Sequence, residues 1–302
     1  KYWHDFFNYA GIHRDVWLCS RPQVHVEDVT ITTDIDGGDG IVTWSVLSHN
    51  ADLLATRVTI FDDEGNVVAE ETGANAQTRI PSVHLWQPGQ GYLYEAEISL
   101  VNGDEVIDAY RQAFGVRTIR VDGTRLLING EPVYLTGFGM HEDHQTIGKA
   151  HNDALMLRDA ACLEWVGANS LRTSHYPYSE HILDYADRHG LLVIDETPAV
   201  GMNMGLGGGI FGTQGYTTFS AETINDETQK VHAQVIRDLI DRDKNHPSII
   251  IWSIANEPES ETEAAENYFR PLFDVAHEAD PSRPVSFVNV MLAPFGKCRV
   301  SQ

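Results

Sequence analysis

The residues of this chain that could do chemistry gather at the ends of short apolar segments. The clearest case is residues 245–258, NHPSIIIWSIANEP, where an apolar run from Ile249 to Ile254 stops at Asn256-Glu257-Pro258. The run reads as a strand buried on both faces, as in a parallel sheet. Pro258 ends regular pairing and is expected to push Glu257 into an extended conformation. Three other apolar segments end alike: His141-Glu142-Asp143, Arg172 to Tyr176, and Asp195-Glu196. A lone glutamate there would cap the next helix. Four such endings, gathered on one rim by an α/β barrel, would instead line one pocket. That pocket would be rich in carboxylates and bordered by Phe138, Tyr176, Tyr178 and Trp252. Sugars suit such walls, since hydroxyls bond to Asp, Asn, His and Arg while ring faces lie on aromatics. Hydrolysis of a glycoside needs one carboxyl to protonate the leaving oxygen and a second to attack the anomeric carbon or activate water. The acid must hold its proton near neutral pH, and a partly apolar, carboxylate-crowded site can raise its pKa.

The surrounding sequence supplies elements to position these groups. Residues 23–118 carry alternating segments such as VHVEDVTITTDI, GIVTWSVLS, ATRVTIFD, GYLYEAEISLV and AYRQAFGVRTIRV, with Gly, Asn and Asp turn signals between them. Such spacing predicts a β-sandwich of roughly 100 residues. From residue 119 the rhythm changes. A strand pair in LLINGEPVYLTGFG has Val133 to Gly139 as its second member. A helix over 152–166 follows, capped by Asn152 or Asp153, and then the strand NSLRTSHYP. Next come a helix from Ser179 to His189 stopped by Gly190, the strand LLVIDET and a Gly-rich loop from Gly201 to Gly215. A helix from about Ala221 to Asp243, the strand of residues 249–257, a helix near 262–279 and the strand PVSFVNV complete the series. Alternation of this kind predicts βαβ units and a parallel sheet. A complete barrel takes about 250 residues, so the segment 119–302 is expected to hold a partial (β/α)8 barrel of five strands.

Composition narrows the partners. Acidic residues number 44 against 21 basic ones, for a formal net charge of −23, and only five residues are Lys. Such a charge repels nucleic acid and anionic membrane, so neither is an expected partner. The excess of Asp and Glu over Lys resembles proteins of salt-accumulating cytoplasm, where salt screens self-repulsion. No apolar stretch approaches the roughly 20 residues that span a bilayer. Cys19, Cys162 and Cys298 lie far apart without CxxC spacing. They are expected to be free, buried thiols in a reduced, cytoplasmic setting, with neither a disulfide framework nor a structural zinc site. No metal and no cofactor is expected. The opening KYWHDFFNYAGIHR and the ending CRVSQ read as the interior of a longer protein, so the chain is expected to be a fragment.

The segments FFNYAGIHR (6–14), TGFGMHED (136–143), GANSLRTSHYPY (167–178), VIDET (193–197), RDKNHPS (242–248) and WSIANEP (252–258) resemble family 2 glycoside hydrolases, and within them the β-glucuronidases. The resemblance runs essentially end to end. It implies a multidomain β plus α/β architecture: residues 1–20 as the remnant of a jelly-roll sugar-binding domain, an immunoglobulin-like β-sandwich over 21–118, and the N-terminal part of a TIM-barrel catalytic domain over 119–302. It also implies a retaining exo-glycosidase acting on β-D-glucuronides. Glu257 would be the acid/base and Asn256 would bind the sugar's 2-hydroxyl. His141 would line the sugar subsite, Asp5 would reach it from the preceding domain, and Arg172 and His175 would support the pocket. Asp195 and Glu196 would shape the site without doing chemistry.

The family's nucleophile, a second glutamate at the end of barrel strand seven, and its Asn-x-Lys element that reads the glucuronate carboxylate have no counterpart here. The 302 residues alone are therefore expected to be inactive. A β-galactosidase of the same family is the alternative; it fits residues 172–177, although a Gly is more usual there at the position of Ala255. An alternative of another class is a non-catalytic carbohydrate-binding protein. A glycoside is the expected partner, and the sequence leaves room for a homo-oligomer of the full-length parent.

Overall fold

Gly37 and Gly38, both at positive φ, turn β1 (His25–Asp36) back onto β2 (Asp39–His49). Two residues in that conformation match the right-handed twist of the strands they join. In this computed structural model, which describes residues 9–204 and 216–290, β5 (Asn75–Ile80) extends the pair into a sheet ordered β1-β2-β5. A second antiparallel sheet runs β4-β3-β6-β7 through β3 (Ala55–Phe61), β4 (Val67–Thr72), β6 (Tyr94–Asn102) and β7 (Glu105–Phe114). The inner faces of both sheets, with Val42, Trp44, Ile60, Ile98, Leu100 and Phe114, close one buried core. That is a sandwich, as period-2 alternation predicts. β4 and β5 escape the sequence reading because their residues are largely polar and exposed.

Val133 to Gly139 is not one strand. β8 (Ile119–Asp122), β9 (Arg125–Ile128) and β10 (Glu131–Val133) form a separate antiparallel sheet, and β11 (Gly137–Gly139) begins a parallel one. The break falls where Asn169 takes over the backbone: its Oδ1 accepts from Thr136 N at 2.8 Å and its Nδ2 donates to Tyr134 O at 2.9 Å.

The parallel sheet runs β11-β12-β13-β14-β15, with β12 (Ser170–Arg172), β13 (Leu192–Glu196), β14 (Ile249–Asn256) and β15 (Val285–Val288). The helices α1 (Asp153–Trp165), α2 (Glu180–His189), α3 (Asp226–Asp243) and α4 (Glu263–Ala279) lie between successive strands. Their ends follow local chemistry. Asn152 accepts from Leu155 N at the start of α1, Gly190 ends α2 in the left-handed conformation, and Thr262 caps α4. α3 starts at Asp226 rather than near Ala221, because Asn225 and Thr228 form a capping box there. Pro271 sits inside α4 and cannot donate to Asn267 O. Gln229 Nε2 on α3 reaches that carbonyl at 3.4 Å and Tyr268 O at 2.7 Å. β14 is buried along nearly its whole length, as its apolar run predicts.

The sandwich docks on the end of this sheet opposite to the polar strand tips. Arg117 donates to Pro247 O at 2.7 Å and Ile249 O at 3.1 Å, at the start of β14. Asn245 is bonded to Ile31 N and Val29 O, and Trp86 Nε1 donates to Asp187 O at 2.7 Å. Residues 244–248 of the RDKNHPS segment therefore serve the junction. Cys19 and Cys162 are exposed, not buried; Cys162 falls on the outer face of α1, whose buried residues are Ala160 and Leu163. Cys298 and much of the Gly-rich loop lie outside the described residues.

Candidate active site

The tips of β12, β13 and β14 meet through Glu196, which is fully buried. Its Oε2 accepts from Arg172 Nη1 at 2.9 Å and Ser253 Oγ at 2.7 Å, and its Oε1 bonds to His175 Nδ1 at 2.8 Å. Arg172 Nη1 also donates to Asn256 Oδ1 at 3.1 Å. One guanidinium thus orients the amide next to Glu257 and neutralises the carboxylate beneath it. The His141 ring meets His175 edge-on, with centroids 5.3 Å apart. A continuous set of contacts therefore links the tip of β11 to the tip of β14, through His141, His175, Glu196, Arg172 and Asn256.

Asp195 points elsewhere. Its Oδ1 accepts from Thr173 Oγ1 at 2.8 Å, and no donor among the described residues reaches its Oδ2. Burial, reinforced by the neighbouring charge of Asp243, raises the pKa of this carboxyl well above the ordinary carboxylate range. Asp243 in turn accepts from Arg242 Nε and Nη2 at 2.7 and 2.6 Å.

Glu257 stands at the rim with its side chain exposed. Its backbone has φ +49°, not the extended conformation expected before proline. Glu257 N donates to Val288 O at 2.7 Å and Asn256 N to Ala199 O at 2.9 Å. These bonds to flanking segments hold a conformation that costs a non-glycine residue roughly 1–3 kcal/mol. The apolar, carboxylate-crowded surrounding expected for Glu257 is not supplied by the described residues.

Both parts of the chain match a known family. Residues 119–301 match the TIM barrel domain of glycosyl hydrolases family 2, and residues 24–117 match another domain of glycosyl hydrolases family 2. The chain belongs to glycosyl hydrolase family 2. Among its relatives, a β-glucuronidase of Paenibacillus borealis is 41% identical over all of this chain and 49% of that protein. The Sus scrofa β-glucuronidase is 39% identical over 94% of this chain and 42% of that protein. The crystal structure of Ruminococcus gnavus β-glucuronidase superposes with a TM-score of 0.91 at 38% identity, covering 98% of this chain and 48% of that one. The same bacterium's enzyme in complex with D-glucaro 1,5-lactone gives 0.90 at 38% identity, with the same coverage. The chain spans about half the length of the curated relatives it matches.

In this family 2 chain, the structure brings His141, Arg172, His175, Glu196 and Asn256 together, with Glu257 adjoining. Asp5 lies outside the described residues. Trp252 does not border the rim: it is 1% exposed, and its Nε1 donates to Asp280 Oδ2 at 2.9 Å beyond the end of α4. Phe138 is exposed, whereas Tyr176 and Tyr178 are buried. Three contributors had no role assigned from the sequence. Ser253, the one polar side chain inside IIIWSIA, secures Glu196. Arg14 bonds Glu142 Oε2 at 2.5 Å and Pro177 O at 2.9 Å, and Tyr9 donates to Asp143 Oδ1 at 2.7 Å. The segment before the sandwich thus reaches the rim beside His141. The isolated polarity of Ser253 within its run signalled the first, and FFNYAGIHR (6–14), among the segments that carry the family resemblance, holds Tyr9 and Arg14.

Proposed function

We propose that this chain carries the acid/base portion of a retaining exo-glycosidase that hydrolyses β-D-glucuronides. The observation that carries the reading is sequence identity of 37–41% to β-glucuronidases over at least 94% of the chain. The rim contacts agree with it, and so does the lactone complex of the Ruminococcus gnavus relative.

In this reading Glu257 donates its proton to the glycosidic oxygen as the bond to the anomeric carbon breaks. A second carboxylate about 5–5.5 Å away attacks that carbon from the opposite face. Glu257 then removes a proton from the water that releases the sugar. Asn256 accepts from Arg172 through Oδ1, which turns its Nδ2 into the donor for the sugar's 2-hydroxyl. His141 lines the subsite, and Asp5 reaches it from the preceding segment. Arg172 and His175 position the pocket, while Asp195 and Glu196 shape it from below. Among the described residues, Glu142 and Glu196 are bound within the rim and leave the nucleophile's place to another carboxylate. We assign that group, and the recognition of the glucuronate carboxylate, to the half of the relatives' length that this chain does not span. We further infer that residues 1–20 end a jelly-roll domain, that 21–118 form an immunoglobulin-like sandwich, and that the strands of 119–302 belong to a barrel of eight.

The test is hydrolysis of nitrophenyl glucuronide, galactoside and mannoside by the chain joined to the remaining length its relatives have. Turnover of the glucuronide alone, abolished by Glu257→Gln, is expected. Preference for the galactoside would favour the sister activity, and binding without turnover of any glycoside would overturn the enzymatic reading.

A further inference from the structure

Two imidazoles and a carboxylate converge beside the rim, just before α1 and in the first turns of α1 and α2. His151 Nε2 lies 2.7 Å from Asp153 Oδ1, and His181 Nδ1 lies 3.3 Å from the same oxygen. The two rings stack with centroids 4.3 Å apart. All three donor atoms lie within 4.8 Å of one another. We propose that His151, Asp153 and His181 bind a divalent transition-metal ion of the zinc type.

The donor set favours that class. Imidazole nitrogen with carboxylate oxygen suits zinc and its neighbours, whereas calcium and magnesium prefer oxygen alone. Bonds of about 2.0–2.1 Å at tetrahedral angles place donor atoms about 3.3 Å apart. The His181–Asp153 pair already has that spacing. The His151–Asp153 pair needs to open by about 0.6 Å, within reach of a χ rotation at an exposed aspartate. The frame is set by Asn152, whose side chain caps α1, so that His151 and Asp153 flank an anchored residue. His181 follows the first residue of α2.

The other nitrogen of His181 has a carboxylate nearby, beyond direct hydrogen-bond distance. His181 Nε2 lies 4.0 Å from Asp15 Oδ2. A metal-bound imidazole ordinarily turns its second N–H toward a carboxylate, which fixes the ring. Asp15 belongs to the segment that precedes the sandwich, so an ion held here ties that segment to the starts of α1 and α2. The net charge of −23 raises the local concentration of any cation.

A second cluster, Asp184, Asp187 and His246, has similar composition but a different use. Both oxygens of buried Asp187 are engaged, by His246 Nδ1 at 2.6 Å and Ser248 N at 3.0 Å, at the junction with the sandwich. It serves as the internal control.

Titrating the 302-residue chain in metal-free buffer with Zn²⁺ by calorimetry, and with Co²⁺ by visible absorption, tests the proposal. The expected result is one saturable equivalent per chain, with d–d bands of a tetrahedral Co²⁺ site. His151→Ala and His181→Asn should each weaken binding at least about tenfold and remove the bands. Asp15→Asn should weaken binding less, and Asp184→Asn should leave it unchanged. The proposal is overturned if no saturable equivalent appears, if it survives in the His151→Ala/His181→Asn double variant, or if Asp184→Asn weakens it as much.

Discussion

Glu196 concentrates the electrostatics of the rim in one buried side chain. Arg172, His175 and Ser253 all bond to it, so truncation strands a guanidinium and an imidazole. Glu196→Ala should cost about 3–5 kcal/mol in urea unfolding, and Glu196→Gln clearly less. Asp195 behaves differently, because burial raises its pKa. The unfolded chain ionises this carboxyl near pH 3.9 and the folded chain only at higher pH. Its contribution is therefore full below about pH 4 and is lost as pH rises toward the folded pKa, by about 1.4 kcal/mol per pH unit. Asp195→Asn keeps the acceptor for Thr173 and removes the titrating group. Urea unfolding between pH 5 and 8 should find that variant as stable as the parent or more so, with a flatter pH slope. At Glu257 the positive φ works against stability. Glu257→Gly should raise stability by about 1 kcal/mol, an increase that Glu257→Gln does not share in thermal melts.

Strand β14 delivers Asn256 and Glu257, and α3 holds it from behind. His232 Nε2 lies 2.7 Å from Ile254 O, two residues before Asn256, and burial pushes the His232 imidazole down to about 4. A histidine with a lowered folded pKa stabilises fully above its unfolded value near 6.5 and loses that stability as pH falls toward 4. The loss amounts to about 3 kcal/mol. His232→Gln keeps a donor for Ile254 O without titrating, so its melting temperature should vary less over pH 4–6.5 than the parent's. Where the sandwich meets the parallel sheet, Gly115 leaves no room for a side chain. A Cβ there would lie 2.7 Å from Trp86 Cβ and 2.9 Å from Pro247 Cβ. Gly115→Ala should destabilise by about 1–3 kcal/mol in the same unfolding assay, through overpacking at the junction.

For the molecule as a whole, charge is the dominant long-range term. With 44 acidic and 21 basic residues, self-repulsion opposes the compact state wherever salt does not screen it. The unfolding midpoint should climb steeply from low to molar KCl; a flat profile would discard the halophilic reading. Docking the sandwich through Arg117, Asn245 and Trp86 leaves the opposite end of the sheet, with its polar tips, open to a ligand.

Local patterns marked the buried strand β14, a start of α1 at Asn152 or Asp153, the stop of α2 at Gly190 and a helix near 262–279, because each of these has a local cause. The same locality hid β4 and β5, whose polar residues form strands only through pairing with β3 and β2. It also merged β10 with β11, since the switch of partners at Asn169 depends on a residue more than thirty positions away. The sequence by itself determined which residues are able to do chemistry and that they end parallel strands. Only the tertiary structure decided their partners: Glu196 under Arg172, Trp252 turned to Asp280, and His181 beside His151. Those contacts join separate strands and helices, and their cost or gain comes from burial and distance, which no stretch of chain carries alone.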